Sequence, residues 1–559
     1  MRTVFQLPTL GAIALAAAAV CGSAQAAEGW VSTKTLKHDV GAAAEGLSAQ
    51  AGESIHVAIA LNLRNKAALD KLTNALMSGQ SNRHITSEEF MARHAPSDAD
   101  VAAVVAHLGK AGFVNIKVAG NHLLVSADGT AATVKAGFNA DLRHFSVEGR
   151  DAYANVTDAQ VPAHLASIVS AVHGLQNVHT SHTMHQVFDD SKAVVEAAAG
   201  GSAVGHNPTD FPTIYDADSL PAATNTTIAI ISEGNIAQTL TDLSAFATKN
   251  SLTQPTVQEI DVGAKGTDTS GLIEWDMDSQ ASLSAAGGKV KKMIFYVSTT
   301  LDDAPLTEAY NQAVTDNVAK VINVSLGECE TAAANSGIEA TDDAIFQTAV
   351  AQGQVFSVSS GDSGSFQCGK KTGGQSYPTV SPYVMSIGGT LLKTTNTTTW
   401  TSETVWACSS SLTCSLLGGT GGGISTTENA PAWQISSGVI GTSTKRNVPD
   451  IAFDASPNSG ALVMNGSKTT QVGGTSLSAP LFTGFWARIQ SKNNNSLVFP
   501  ASAIYSYGHV ASNAKNMFHD VTSGSNGGYK AATGWDNTTG FGTLDVGKFS
   551  AFIDTHSGF

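Results

Sequence analysis

The sequence predicts an α/β protein whose larger part is a parallel sheet covered by helices, preceded by a smaller α+β domain. Three observations carry that reading. From about residue 209, near-continuous apolar runs such as "TTIAIIS", "KKMIFYVS", "VAKVINVSLG" and "QVFSVSSG" alternate with amphipathic stretches such as "TLTDLSAFATKN" and "DDAIFQTAVAQG". Strands buried on both faces and joined by helical crossovers read this way. Between about 54 and 175 the order is instead a strand, two helices, a hairpin, a helix, a polar hairpin and a last stretch, which suits a small antiparallel sheet with helices on one face. Finally, 559 residues exceed one ordinary core, and 42% hydrophobic with 14% charged residues is a globular composition.

At the N-terminus, Arg2, the apolar run "LGAIALAAAAV" and the small-residue site Ala24-Gln25-Ala26 read as a secretory signal over residues 1–26. The apolar run is shorter than the ~20 residues of a membrane span. A secreted protein, extracellular or periplasmic, with no membrane association after signal removal is expected. Losing Cys21 with the signal leaves Cys329, Cys368, Cys408 and Cys414, an even number for an oxidising compartment. The economical pairing is Cys408 with Cys414 and Cys329 with Cys368, although sequence leaves the connectivity open. The net charge of −15 excludes nucleic acid as a partner, because phosphate binding needs clustered Lys and Arg. A lysine-poor acidic surface also gains little cationic self-repulsion in acid.

Residues 27–175 form the first domain and contain no catalytic constellation. Residues 176–208, "QNVHTSHTMHQVFDDSKAVVEAAAGGSAVGHNP", lose periodicity and read as an exposed processing linker. His173, His179, His182 and His185 are expected to be solvated rather than metal-bound. They could also act as a pH sensor, charging below about pH 6.5 and weakening the docking of the first domain. Residues 209–559 are expected to form the larger domain, which carries the candidate chemistry.

Its chemistry gathers in three motifs. "GGTSLSAP" is a glycine turn that presents Ser476 at a helix start, as in subtilisin-like proteases, yet the His-Gly-Thr-His helix start that would bring a base is missing. The helix "GLIEWDMDSQASLSAA" carries Glu274 and Asp278 four apart on one face, while Asp276 points away. Adjacent carboxylates favour one shared proton, and such a pair can serve the serine as base. In "SVSSGDSG", Asp362 follows a buried strand; protonated, it could donate to an oxyanion. Two glycine-rich stretches, "VSLGECE" and "GGTGGGIST", are candidate edges for an extended substrate. Asp450 and Asp454 in "VPDIAFDASP" read as structural.

These motifs, with "ITSEEFMARHAPS", "GHNPTDFPTIYDA" and "GGGISTTENAPAWQ" in the same order, resemble the sedolisin family of serine-carboxyl peptidases, most closely its bacterial pseudomonalisin type. The resemblance implies a subtilisin-like catalytic fold behind a ferredoxin-like propeptide that acts as intramolecular inhibitor. It also implies a monomeric, self-processing zymogen of a secreted acid endopeptidase acting on polypeptides. Ser476 would be the nucleophile, Glu274 the general base, Asp278 its partner and Asp362 the oxyanion donor. It further implies one structural calcium ion held by the side chains of Asp520 and Asp536 and the carbonyls of Val521, Ala532 and Gly534, with Ala532 standing where a glycine is usual. A glycosidase using Glu274 and Asp278 would leave the serine turn unexplained. A noncatalytic binding protein would not need all four residues. Within the family, a tripeptidyl-peptidase is the main alternative.

Overall fold

The computed structural model describes residues 29–38, 52–147, 149–189, 204–369 and 374–559; the signal segment and residues 190–203 of the linker lie outside the described residues. The first domain runs β1 (Ser54–Leu61), α1 (Lys66–Met77), α2 (Asp98–Ala111), β2 (Val114–Val118), β3 (Leu124–Thr130), α3 (Ala131–Phe138) and β4 (Val169–His173). Its sheet has the order β2-β3-β1-β4 with every pair antiparallel, the expected ferredoxin-like arrangement. The last stretch before residue 175 is a single 3-10 turn leading into β4. In β1, "SIHVAIAL", alternate residues serve two cores. Ile55, Val57 and Ile59 pack with Val104, Leu108, Val134 and Phe138 inside the domain, while Ala60 joins the core of the catalytic domain. This two-sided burial fixes the domain against its neighbour.

The linker carries two short strands, β5 (His182–Thr183) and β6 (Gln186–Val187). In the catalytic domain follow β7 (Ala223–Glu233), β8 (Val257–Val262), α4 (Leu272–Ala285), β9 (Val290–Ser298), α5 (Asp303–Asp316), β10 (Val321–Val324), β11 (Leu326–Cys329), α6 (Ile338–Gln352), β12 (Val355–Ser359) and β13 (Ser376–Tyr377). The last elements used below are β14 (Met385–Thr395), β15 (Ile451–Asp454), β16 (Ala461–Asn465), β17 (Lys468–Gly473) and α7 (Thr475–Lys492). The central sheet has the order β8-β9-β7-β10-β12-β14-β15, parallel throughout this run.

Helix α7 lies across the middle of that sheet and packs on α4. Gly484 permits the crossing: a Cβ there would lie 2.5 Å from both the Ala285 Cβ and the Ser282 carbonyl oxygen. The two helices thereby bring Ser476 and Glu274, contributed by distant parts of the chain, to one end of the sheet. Disulfides join Cys329 to Cys368 and Cys408 to Cys414, the economical pairing. Among the described residues no helix is long and apolar enough to cross a membrane.

Candidate active site

Ser476 occupies the first turn of α7, where backbone N–H groups have no helical partner. Gly474 makes the turn possible with φ of 110°; a Cβ there would lie 2.2 Å from the Met184 carbonyl oxygen and 2.7 Å from Asp362 Oδ2. The Ser476 N–H donates to the Met184 oxygen at 3.0 Å. Its hydroxyl donates to the Ser325 carbonyl at 3.4 Å. A peptide carbonyl of the linker thus sits where the Ser476 side chain and a helix N-terminus converge.

Asp362 comes to the same place from the turn after β12, at the carboxyl ends of the parallel strands where such sheets build sites. Its Oδ1 accepts from the Thr475 N–H at 2.8 Å and the Thr475 hydroxyl at 2.9 Å, while Oδ2 is buried without a partner. Burial pushes the Asp362 carboxyl up to about 7, against the opposing pull of the Thr475 hydrogen bonds. In mild acid it is therefore protonated, with a hydrogen to give from its unpaired oxygen.

Glu274 and Asp278 lie one turn apart on α4, both wholly buried. Glu274 Oε2 bonds His185 Nδ1 at 2.8 Å, and its Oε1 has no partner. Asp278 Oδ1 accepts from the Ser325 hydroxyl at 2.6 Å. Burial, and then the charge of Glu274, raises Asp278 well above the usual carboxylate range. Asp276 faces elsewhere as expected, accepting from Asn465 of β16 at 2.6 Å. Asp450 is bound by Arg446 through both guanidinium nitrogens at 2.8 Å, and Asp454 accepts from the Ser459 hydroxyl at 2.6 Å. Both serve the framework.

The linker differs from its expected exposure. β5 pairs antiparallel with β11, Thr183 opposite Leu326 and His182 opposite Gly327, and β6 pairs antiparallel with β17, Gln186 opposite Gly473. Met184 between them is buried, and its N–H donates to the Ser325 carbonyl at 3.2 Å. An extended backbone must satisfy its N–H and C=O groups, and two open edges flank the site. "VSLGECE" supplies one edge as expected, but "GGTGGGIST" does not supply the other. There Gly419 and Gly421 donate to the carbonyls of Asp362 and Gly361 and buttress that turn, and β17 takes the second edge.

The four histidines go to separate places, and among the described residues no three metal-binding side chains cluster. His173 bonds the Thr341 hydroxyl at 2.8 Å, the His179 ring lies 5.8 Å from that of His38, and His182 is exposed. For His185 the expected effect of protonation is reversed. Burial pulls it down, but the hydrogen bond and charge of Glu274, with the charge of Asp362, outweigh this and raise it, so the charged imidazole holds the linker in place. Sequence reasoning missed Ser325, Met184, His185 and β17 as parts of the site. Ser325 had a signal, since it directly follows a buried parallel strand.

The C-terminal loop brings Asp520 and Asp536 together. Asp520 Oδ2 accepts from Gly534 N–H at 2.9 Å, and Asp536 Oδ2 from Ala532 N–H at 2.9 Å. Burial raises both carboxyls, and the charge of Asp536 raises Asp520 further. Oxygen donors that repel one another suit a hard cation. Gly534 has φ of 80°, whereas Ala532 is not among the positive-φ residues, so alanine fits without strain.

A parallel α/β core, a serine at a helix start with buried carboxylates in place of histidine, and a domain whose linker fills the cleft define a serine-carboxyl peptidase with an activation domain. The comparisons agree. Residues 43–178 match the pro-kumamolisin activation domain and residues 266–542 the subtilase family. The chain is 46% identical to sedolisin of Pseudomonas sp. (strain 101), covering 97% of this chain and 95% of that protein. It is 44% identical to xanthomonalisin of Xanthomonas sp. (strain T-22), covering 91% and 66%. The solved structure of Pseudomonas sedolisin with pseudo-iodotyrostatin is 47% identical, covers 64% of this chain and all of that one, and has a TM-score of 0.60. The chain belongs to the sedolisin family.

Proposed function

We propose that this chain is the zymogen of a secreted, acid-acting endopeptidase in which Ser476, Glu274, Asp278 and Asp362 carry the reaction. The observation behind this reading is the single carbonyl, that of Met184, which accepts the Ser476 N–H while the unpaired Asp362 Oδ2 crowds the same glycine turn. In the proposed reaction the Ser476 hydroxyl attacks a substrate carbonyl and passes its proton to Glu274, whose Oε1 is unpartnered. Asp278, one turn away and raised by burial and then by the charge of Glu274, is the protonated partner of the pair. The Ser476 N–H and protonated Asp362 stabilise the oxyanion, a use of a neutral carboxylic acid that burial permits. Glu274 then protonates the leaving amine, and water cleaves the acyl-enzyme.

Activity is lost as pH rises through about 7, where Asp362 ionises and would repel the oxyanion. Endopeptidase action is favoured over tripeptidyl release because the linker continues upstream of His182 and downstream of Val187 on both sides of the seated carbonyl. A calcium ion held by Asp520, Asp536 and the carbonyls of Val521, Ala532 and Gly534 would brace the C-terminal loop by neutralising its carboxylates.

The test is the pH profile of casein or haemoglobin digestion for wild type and Ser476→Ala. Expected are a maximum in mild acid and a fall of roughly 10⁴-fold or more in Ser476→Ala. Fastest hydrolysis near pH 8 with little near pH 4 would overturn the mechanism.

A further inference from the structure

We infer that the Met184–His185 bond is the first peptide bond this zymogen cuts, within its own chain. The inference rests on the reading above as a self-processing peptidase and adds the site and order of processing.

Register is the first argument. The linker is paired as a strand on each side of this bond and changes partner across it, from β11 at His182–Thr183 to β17 at Gln186–Val187. The partner change falls among the three bonds from Thr183 to Gln186, and of their carbonyls only that of Met184 receives the Ser476 N–H, at 3.0 Å. Together with the Ser325 carbonyl bonded to the Met184 N–H at 3.2 Å, this holds the residue from both ends of its backbone.

Side chains agree with the register. Met184 is only 1% exposed, and its Cε lies 2.7 Å from where a Cβ on Gly327 would stand, so the missing side chain at Gly327 makes the room. On the other side of the bond, His185 Nδ1 bonds Glu274 Oε2 at 2.8 Å, which ties the residue bearing the leaving nitrogen to the group that would protonate it. The charged groups facing His185 are Glu274 and Asp362, and Glu274 in turn faces Asp278.

The step balances with groups already present. A bond forms between Ser476 Oγ and the Met184 carbonyl carbon while the hydroxyl proton moves to Glu274. The bond from Met184 to the His185 nitrogen then breaks, and Glu274 returns the proton to that nitrogen. Water cleaves the ester, leaving a Met184 carboxyl and a free Ser476. The product begins at His185, inside the 176–208 linker, so it carries the rest of that linker as an N-terminal extension of the larger domain.

Full-length zymogen shifted to about pH 4 should be sampled over time by N-terminal sequencing and intact mass. The first new N-terminus is expected at His185, matched by a fragment ending at Met184, at a rate unchanged by dilution. Met184→Pro removes the N–H held by Ser325 and the seated side chain. It should slow this cut by on the order of 100-fold, the scale for a misplaced reacting group. Traces of mature wild-type enzyme should still release active enzyme from Met184→Pro, which shows that it folds. A first N-terminus elsewhere, in a preparation that goes on to digest casein, overturns the inference and leaves the proposed function standing. A His185 start arising in Ser476→Ala incubated alone also overturns it. Absence of both self-cleavage and casein digestion at every pH overturns both.

Discussion

The face that docks the first domain and the centre beneath it bury opposite kinds of titratable group. On the docking side, His84 lies against Gly353, His173 bonds Thr341 and His38 stands near His179. Burial pushes His38, His84 and His173 each down to about 4. In the centre, burial pushes Asp362 up to about 7 and raises Asp278 well above its usual range. The same loss of water therefore has opposite consequences. The neutral histidines stabilise docking above their unfolded value near 6.5, and that contribution is lost as pH falls through about 4. The neutral Asp362 carboxyl contributes fully below its unfolded value near 4, and that contribution is lost as pH rises through about 7. Acid loosens the cover and suits what it covers. His56 is the counterweight: despite burial, Glu308 at 3.2 Å and Asp128 at 2.7 Å raise it to about 9, so it stays charged and holds the domain until its partners protonate.

The strongest way to break this contrast is at Asp362. Asp362→Ala should lower kcat by ~10²–10³, the usual cost of one oxyanion donor. Asp362→Asn keeps a donor at every pH, so its activity should persist above pH 7 where wild type fails; an unchanged pH profile would remove Asp362 from the alkaline limb. A smaller effect should appear on the docking side. In the uncleavable Ser476→Ala chain, hydrogen-exchange protection at the interface, taken relative to the intrinsic rate at each pH, should fall between about pH 7 and pH 4, and replacing His38, His84 and His173 with Gln should abolish most of that response. Each histidine should contribute on the order of 1–3 kcal/mol. Equal acid sensitivity in the triple variant would show that the carboxylates, not the histidines, govern release. The smallest effect lies away from both regions: a tight chelator in mild acid should lower the Tm of the enzyme by roughly 5 °C, and no shift would count against the cation site.

The sheet was readable because buried parallel strands are apolar along their whole length, and the carboxylate pair because a spacing of four residues is a local property of one helix. "GGTSLSAP" was readable for the same reason, since a turn into a helix is written in adjacent residues. What was not readable depends on distant partners. β5 and β6 are two residues each, too short for any alternation, and they exist because β11 and β17 offer unpaired edges. His185 stood among similar histidines in a polar stretch, and only the fold shows that it meets a carboxylate 89 positions away. The glycines of "GGTGGGIST" looked like a substrate edge, but their small size serves close packing on the Asp362 turn: a Cβ on Gly421 would lie 1.9 Å from the Ser360 carbonyl oxygen.

The crossing of α4 and α7 also sets a timetable. The ribosome completes the covering domain by residue 173 and α4 with Glu274 by residue 285, but the helix bearing Ser476 emerges much later. Domains fold as units, the earlier ones first during synthesis. A nascent chain therefore carries its covering domain finished and its Ser476 turn unmade. The cell making this protein never holds an open site before the cover for it exists.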